Sequence, residues 1–386
     1  FSAAIALDAK DPEVYFNRAN FRFQAGQLED ALNDLDVAIK LRGSYLEARS
    51  NRANLLIMQQ AFGRAEKDLI YLTGKVKNNP DLWVALGLVQ HKSGKSKEAL
   101  LSTQCALRLM PQHLDALINC SSIEFDLERF ETAAAWARKA LLVNSNSAEA
   151  HYALANALFE LGELEGSFEA YSRAIELKPN NPEAFMGRGR VNASMRDMDA
   201  SARDYDQAIR LRPDYDDAVF NKSYMLLEQH EFVEGWRGYE YRLKFPKFKD
   251  SLLPSLPVWH GGPLDGTLLV RGEQGLGDQL LFASTIPDLL EMQPRVTLQV
   301  EKRLVSLLKR SFPRCSVLPK TDKRPNGVVA QIPLGSLPTY FRSSVADFAN
   351  AEIPYLKADP EQTAGLKQLL APHGEKIVGV NWRSFK

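Results

Sequence analysis

Cysteine is scarce in this 386-residue sequence: Cys105, Cys120 and Cys315 stand far apart, with no C-x-x-C pair. Three separated thiols build neither a disulfide framework nor a thiolate zinc site, and they fit a reducing compartment. Histidine is equally sparse. His91, His113, His151, His230, His260 and His373 form no H-E-x-x-H or other close pair, so no metal is expected. An excess of one charge is missing too: 48 Lys+Arg balance 48 Asp+Glu, which removes any general attraction to nucleic acid or an anionic membrane. No uninterrupted apolar run approaches the length of about 18 residues that a membrane span needs, and no basic n-region with an apolar run opens the chain. The sequence therefore reads as cytoplasmic. It starts at Phe1, in FSAAIALD, which resembles the second half of an amphipathic helix and suggests a piece of something longer.

What the chain does have is a period. Small residues recur every 34 positions at Ala31, Ala65, Ala99, Ala133, Ser167, Ser201 and Gly235. A second series on the same period is Ala19, Ala53, Gly87, Ser121, Ala155, Gly189 and Ser223, and a third is Ala38, Leu72, Ala106, Ala140, Ala174 and Ala208. Small side chains let helix backbones approach, so two small positions 12 apart across a turn mean a tightly packed helical hairpin. Gly26, Gly63, Gly94 and Gly162 supply the turn or break, and Pro111, Pro179 and Pro213 stop the second helix.

Units such as AEAHYALANALFELGELEGSFEAYSRAIELKPNN (148–181) resemble tetratricopeptide repeats. Seven units start at 12, 46, 80, 114, 148, 182 and 216, and residues 1–11 fit the tail of another, giving a repeat region over 1–243. The resemblance implies an α-helical solenoid, a right-handed superhelix whose concave groove holds a protein or peptide. On the first helices stand Asn17, Asn51, Asn119 and Asn221, with Asn20, Asn54 and Asn156 one turn further along the same face. An amide both donates and accepts, so a ladder of them would grip a peptide backbone regardless of its side chains, as in the similar superhelix of O-linked N-acetylglucosamine transferases. Ala85, Ala153 and Gly187 interrupt the series, and solvated helix surface is the competing reading.

Beyond the repeats the period changes. The aromatic segment EFVEGWRGYEYRLKF closes the last repeat, and residues 244–258 read as a Pro-bearing linker. From 259 onward, expected strands at 266–272, 295–300, 327–334 and 376–382 alternate with expected helices at 277–292, 302–311 and 361–371. That alternation means a parallel sheet of the doubly wound α/β kind, whose ligands bind beyond the strand C-termini. The first strand-to-helix loop, RGEQGLGD (271–278), is accordingly the place for a site. Its Gly272, Gly275 and Gly277 match neither a dinucleotide fingerprint nor a Walker loop, yet they let a ligand approach the backbone, and Glu273 and Gln274 lie among them. Asp278 alone reads as an ordinary first-turn acid of a helix.

LLVRGEQGLGDQLLFASTIPDLL (268–290) resembles the N-terminal half of GT-B glycosyltransferases of the heptosyltransferase kind. With W-x-G-G-P-L-x-G (259–266), I-P-L-G-S-L-P (332–338) and I-P-Y-L (353–356), the chain is similar to bacterial proteins that fuse tetratricopeptide repeats to such a domain. The resemblance implies a Rossmann-like half over 259–376, with 377–386 opening a second half that lies outside this sequence. It further implies an inverting, metal-independent transferase with no cofactor, a nucleotide sugar as co-substrate and Asp278 as general base, and Arg383 is a candidate for the donor phosphates. The fragment itself would be inactive. The alternative is a non-catalytic interaction scaffold with a degenerate transferase-like domain.

Overall fold

The computed structural model describes residues 10–351 and 353–370. The expected partial repeat at 1–11 therefore lies almost wholly outside the described residues, and the 376–382 strand and Arg383 lie wholly outside them. By internal packing the described chain divides into two compact units, one ending at Leu211 and one starting at Arg212.

The first unit is six helical hairpins. In order they are α1 (Pro12–Gln24) with α2 (Leu28–Leu41), α3 (Leu46–Met58) with α4 (Phe62–Lys75), and α5 (Pro80–Lys92) with α6 (Ser96–Leu109). Next come α7 (Leu114–Asp126) with α8 (Phe130–Val143), α9 (Ala148–Glu160) with α10 (Leu164–Leu177), and α11 (Pro182–Ser194) with α12 (Met198–Leu211). Every helix packs on the next, and all the small-residue positions in this unit are buried. At Gly87 an added Cβ would sit 2.3 Å from Thr103 Oγ1, so the crossing tolerates no side chain there. Where the series carries serine, the hydroxyl bridges the crossing: Ser121 Oγ donates to Ala133 O and Ser201 Oγ to Gly189 O, each at 2.8 Å.

The hairpin turns correct one expectation. The left-handed residue of each turn is Gly26, Gln60, Gly94, Glu128, Gly162 and Arg196, again 34 apart, with φ between 57° and 78°. Gly63 is not one of them; it lies in the first turn of α4, and Gln60 takes its expected role. The turn geometry is imposed by the packed helices, so non-glycine residues accept it at a local cost.

The second unit begins with the seventh hairpin, α13 (Asp216–Glu228) and α14 (Phe232–Tyr239), so fourteen helices run in tandem along the chain. His230 holds its left-handed turn position, and 3-10 turns follow at Glu240–Lys244 and Pro246–Ser251. The segment expected as a linker is packed instead. Leu253 and Leu256 are buried against Leu269 and Val328, and the Gln331 side chain accepts from Leu253 N at 2.7 Å and donates to Leu256 O at 2.8 Å.

The sheet has strands β1 (Thr267–Arg271), β2 (Val296–Val300), β3 (Ser316–Pro319) and β4 (Val328–Pro333), in the order β3-β2-β1-β4, all parallel. β1 is central, pairing Val270 with Leu298 on one side and Ile332 on the other. The expected doubly wound Rossmann-like half is thus, among the described residues, a small four-stranded parallel sheet. The helix expected over 277–292 is two, α15 (Leu276–Phe282) and α16 (Ile286–Met292), joined by a 3-10 turn. Pro287 lacks the N–H and crowds the preceding carbonyls, so the helix cannot run through. The helix expected at 302–311 opens as a 3-10 turn and continues as α17 (Val305–Ser311), and after two short helices α18 (Pro338–Phe341) and α19 (Val345–Ala349) the expected late helix is α20 (Pro360–Leu370). Sequence reasoning missed β3: four residues on a sheet edge, ending in proline, carry too little alternation to be read.

Candidate functional site

The asparagine series and the glycine loop each border a hollow that could hold a ligand. The first lies on α1 and α3, where Asn20, Asn51 and Asn54 gather with Phe23, Leu55 and Met58 around a hollow of about 160 Å³. Asn51 Nδ2 donates to Asn20 Oδ1 at 2.7 Å, so these amides of successive repeats are joined to each other. Asn54 is exposed, as is Asn17, which lines neither this hollow nor the next. Asn156 lies on a separate hollow of about 490 Å³ with Tyr152, Phe125 and Ser122, and its Oδ1 accepts from the Tyr171 hydroxyl. Asn119 is half-buried beside neither hollow, and Asn221 Nδ2 turns back to Asp217 O of its own helix at 2.7 Å. Three of the seven amides therefore converge and the others stand apart.

A periodic feature that sequence reasoning missed is a set of ion pairs. Arg18 pairs with Asp34, Arg52 with Asp68 and Arg188 with Asp204, each within 2.8 Å and each 16 residues apart on the two helices of one hairpin. Their acids are nearly buried, and Arg22 and Arg49 add second arms to Asp34 and Asp68. The signal was the recurrence of Arg and Asp in multiples of the same 34-residue period, hidden because other units carry Leu, Cys or Lys in place of the Arg and Ser, Trp, Ala or Gly in place of the Asp.

The second place lies in the second unit, at the C-terminal end of β1. A cleft of about 570 Å³ is lined by Tyr224, Trp236, Tyr239, Glu273, Asp278 and Phe282, among others. Asp278 is exposed in the first turn of α15, and Gly275 is the residue just before that helix. A Cβ at Gly272 would meet Gln279 Oε1 at 2.5 Å and displace that amide, whereas Gly277 faces open space. Gln279 fixes the loop by accepting from Glu301 N at 3.0 Å and donating to Gln274 O at 2.7 Å. Gln274 in turn donates to the Tyr239 hydroxyl, and burial pushes that phenol up to about 12.

Behind the cleft is a network that the sequence did not announce. Arg242, fully buried, donates through Nη2 to Glu273 Oε1 at 2.8 Å and to Ser336 Oγ at 2.8 Å, and through Nη1 to Glu240 Oε1 at 2.7 Å. Ser336 Oγ donates to Glu240 Oε2, and Gly335 N to Glu273 Oε1. The other oxygen of Glu273, Oε2, is buried without a hydrogen-bond partner among the described residues. Burial raises the Glu273 carboxyl above its ordinary range, and Arg242 pulls the other way. Arg242 itself stays raised because two carboxylates outweigh its own desolvation. At the end of β1, Arg271 is buried too; its Nη1 reaches Gln299 Oε1 at 2.8 Å and Thr321 O at 3.0 Å, and it acts as a tie between segments.

Among the described residues no helix is long and apolar enough to cross a membrane. Comparison with known proteins gives one family match, the TPR repeat, over residues 155–195. Protein FlbA of Caulobacter vibrioides is 30% identical over 188 residues, which are 43% of this chain and 31% of FlbA. Human tetratricopeptide repeat protein 13 is 31% identical over 115 residues, or 30% of this chain and 13% of that protein. The chain thus spans under a third of the length of these relatives. Among solved structures, a tetratricopeptide repeat protein from Parabacteroides merdae superposes with a TM-score of 0.53 at 16% identity, over 61% of this chain and 93% of its own. The Cut9–Hcn1 structure of the APC/C gives 0.51 at 12%, over 58% of this chain and 45% of its own. With the fourteen tandem helices, these likenesses make the N-terminal part of the chain a tetratricopeptide helical solenoid.

Proposed function

We propose that the repeats are a scaffold that binds an extended segment of a partner protein, gripping its backbone with amides. The observation that carries this reading is the convergence of Asn20, Asn51 and Asn54 on one hollow floored by Leu35 and Leu55 and rimmed by Phe23 and Met58. Amides satisfy backbone groups of any sequence, and the apolar rim shields those bonds from water. The test is fluorescence anisotropy with several unrelated labelled peptides. Replacing Asn20, Asn51 and Asn54 together with alanine should weaken all of them alike, by about tenfold or more at about 0.5–1.5 kcal/mol per hydrogen bond. Unchanged affinity would return these residues to plain surface.

A second reading applies to the α/β part, as the N-terminal half of an inverting GT-B glycosyltransferase acting on a nucleotide sugar. What favours it is the position of the loop: glycines and an exposed carboxylate, Asp278, at the C-terminal end of the central parallel strand, opening on a cleft. In that reading Asp278 takes the proton of an acceptor hydroxyl, and the loop of Gly272, Glu273, Gln274, Gly275 and Gly277 shapes its surroundings.

A further inference from the structure

The same cleft carries an inference about the class of molecule it takes. Three of its walls are aromatic: the Tyr224 and Tyr239 ring centroids lie 5.9 Å apart with planes at 85°, and those of Trp236 and Tyr239 lie 5.7 Å apart at 84°. The indole is fixed in place, because Trp236 Nε1 donates to Arg342 O at 2.7 Å. The rings pack edge to face against one another and Arg242 already lies over the buried Tyr239 ring, 4.4 Å from its centroid, so the half-exposed Tyr224 supplies the electron-rich face open to the cleft.

The charges point the same way. Arg242 sits between two carboxylates, Glu240 and Glu273, which leaves one negative charge over, and Asp278 adds another. Among the described residues Lys247, exposed, is the one cation lining the cleft, and it offsets only one of these. Asp278 acts on the aromatic wall: after burial, its charge is the next cause raising the Tyr224 phenol. Glu273 Oε2 is buried with no hydrogen-bond partner among the described residues, so its charge is poorly compensated behind the cleft. An anionic ligand would meet the exposed Asp278 carboxylate with the Glu273 charge behind it, and a wholly apolar one would leave Asp278 without a counter-charge.

We propose that this cleft binds an organic cation, an alkylammonium group lying against the exposed Tyr224 ring beside Trp236, with Asp278 as its counter-charge. Cation–π attraction and the exposed Asp278 carboxylate act on the same positive group, and the Glu273 charge adds at longer range. This rests on reading the cleft as a ligand site, and it is independent of peptide binding by the repeats.

The test compares n-butylammonium, n-butanol and glucose by titration calorimetry against the 386-residue chain. Butylammonium and butanol have nearly the same shape and differ in charge. Butylammonium should bind at least about tenfold more tightly than butanol, and 0.5 M salt should weaken it, as for any partly exposed charge pair. Two substitutions at exposed positions report the site without disturbing the core. Asp278→Asn should weaken butylammonium by about fivefold or more, and Tyr224→Ala by about two- to fivefold. Equal binding of butylammonium and butanol, or no change in either variant, overturns the proposal. Glucose binding that depends on Asp278 while butylammonium fails overturns the cation and keeps the ligand site. Binding of none of the three overturns both.

Discussion

Ser167 Oγ lies 2.8 Å from the carbonyl oxygen of Ala155, twelve residues back on the facing helix of its hairpin. Both residues belong to the small-residue series, so one hydroxyl fills the space that alanine fills elsewhere and adds a hydrogen bond across the crossing. Ser167→Ala keeps the packing and removes the bond; it should cost about 1 kcal/mol in denaturant unfolding. Ala99→Leu, by contrast, overpacks a fully buried crossing and should cost about 1–3 kcal/mol, while Lys97→Leu on the exposed face of the same helix should be nearly silent. Equal unfolding midpoints for the Ala99 and Lys97 variants would contradict close packing at the series.

The turn series makes a prediction with opposite signs at equivalent positions. Gly94 and Gln60 hold the same left-handed backbone, at φ 76° and 57°. Gly94→Ala places a Cβ where L residues are strained and should destabilise by about 1–2 kcal/mol. Gln60→Gly relieves that strain and gives some of it back to unfolded-chain entropy, so a gain of about 0.5 kcal/mol or less is expected. Urea midpoints of the two variants moving in the same direction would show that the surrounding helices, and not the local φ, control these turns.

The repeats were legible because a hairpin crossing demands a small residue at a fixed place, and Ala31 or Ser201 states that demand in one letter. The Arg18–Asp34 pairs obey the same period but were unreadable, since a charged residue on an amphipathic helix is expected anyway and only three units keep both partners. In the α/β part the strand ranges of β1, β2 and β4 follow from apolar runs that cannot be exposed. The cleft does not follow from any run. Arg242 and Ser336 lie 94 residues apart and meet where α14 packs against α18, a long-range fact with no local mark. Arg242 is nonetheless one of the two largest fully buried side chains among the described residues.

That burial makes Arg242 a severe test of the second unit. Arg242→Met fills similar space and leaves Glu273 buried without its counter-charge, so the second unit should lose about 3–5 kcal/mol. Glu273→Gln added to it removes the stranded charge and should recover part of the loss, a coupling readable in a double-mutant cycle. A strictly additive cycle would show that the two side chains do not depend on each other.

The raised Glu273 carboxyl gives that network a pH signature. A buried acid whose proton is held more tightly in the folded than the unfolded chain is most favourable while protonated. Its contribution is therefore full below the ordinary glutamate value of about 4.3 and falls as pH rises from there towards the raised value. Glu273→Gln imitates the protonated form at every pH. The stability difference, wild type minus variant, should shrink as pH climbs through that window in thermal unfolding series. A difference that grows with pH would mean that Arg242 outweighs burial.

Asp278 separates a chemical role from a structural one in a single substitution. In the transferase reading it is the base that accepts a proton from an acceptor hydroxyl, and Asp278→Asn keeps its shape and hydrogen-bonding reach while removing that capacity. Turnover of a nucleotide sugar by a longer form carrying the donor-binding half should then fall by about 10²–10⁴, with the melting temperature nearly unchanged. As a first-turn helix acid alone, Asp278 would act through the helix dipole. Its replacement would then leave turnover intact and cost about 0.3–1 kcal/mol of stability, because the residue is exposed and Gly275, not Asp278, precedes the helix. Calorimetry on the same variant adds a third reading, since loss of butylammonium binding with turnover preserved would make Asp278 a counter-charge and not a base. Full turnover in the variant ends the catalytic role.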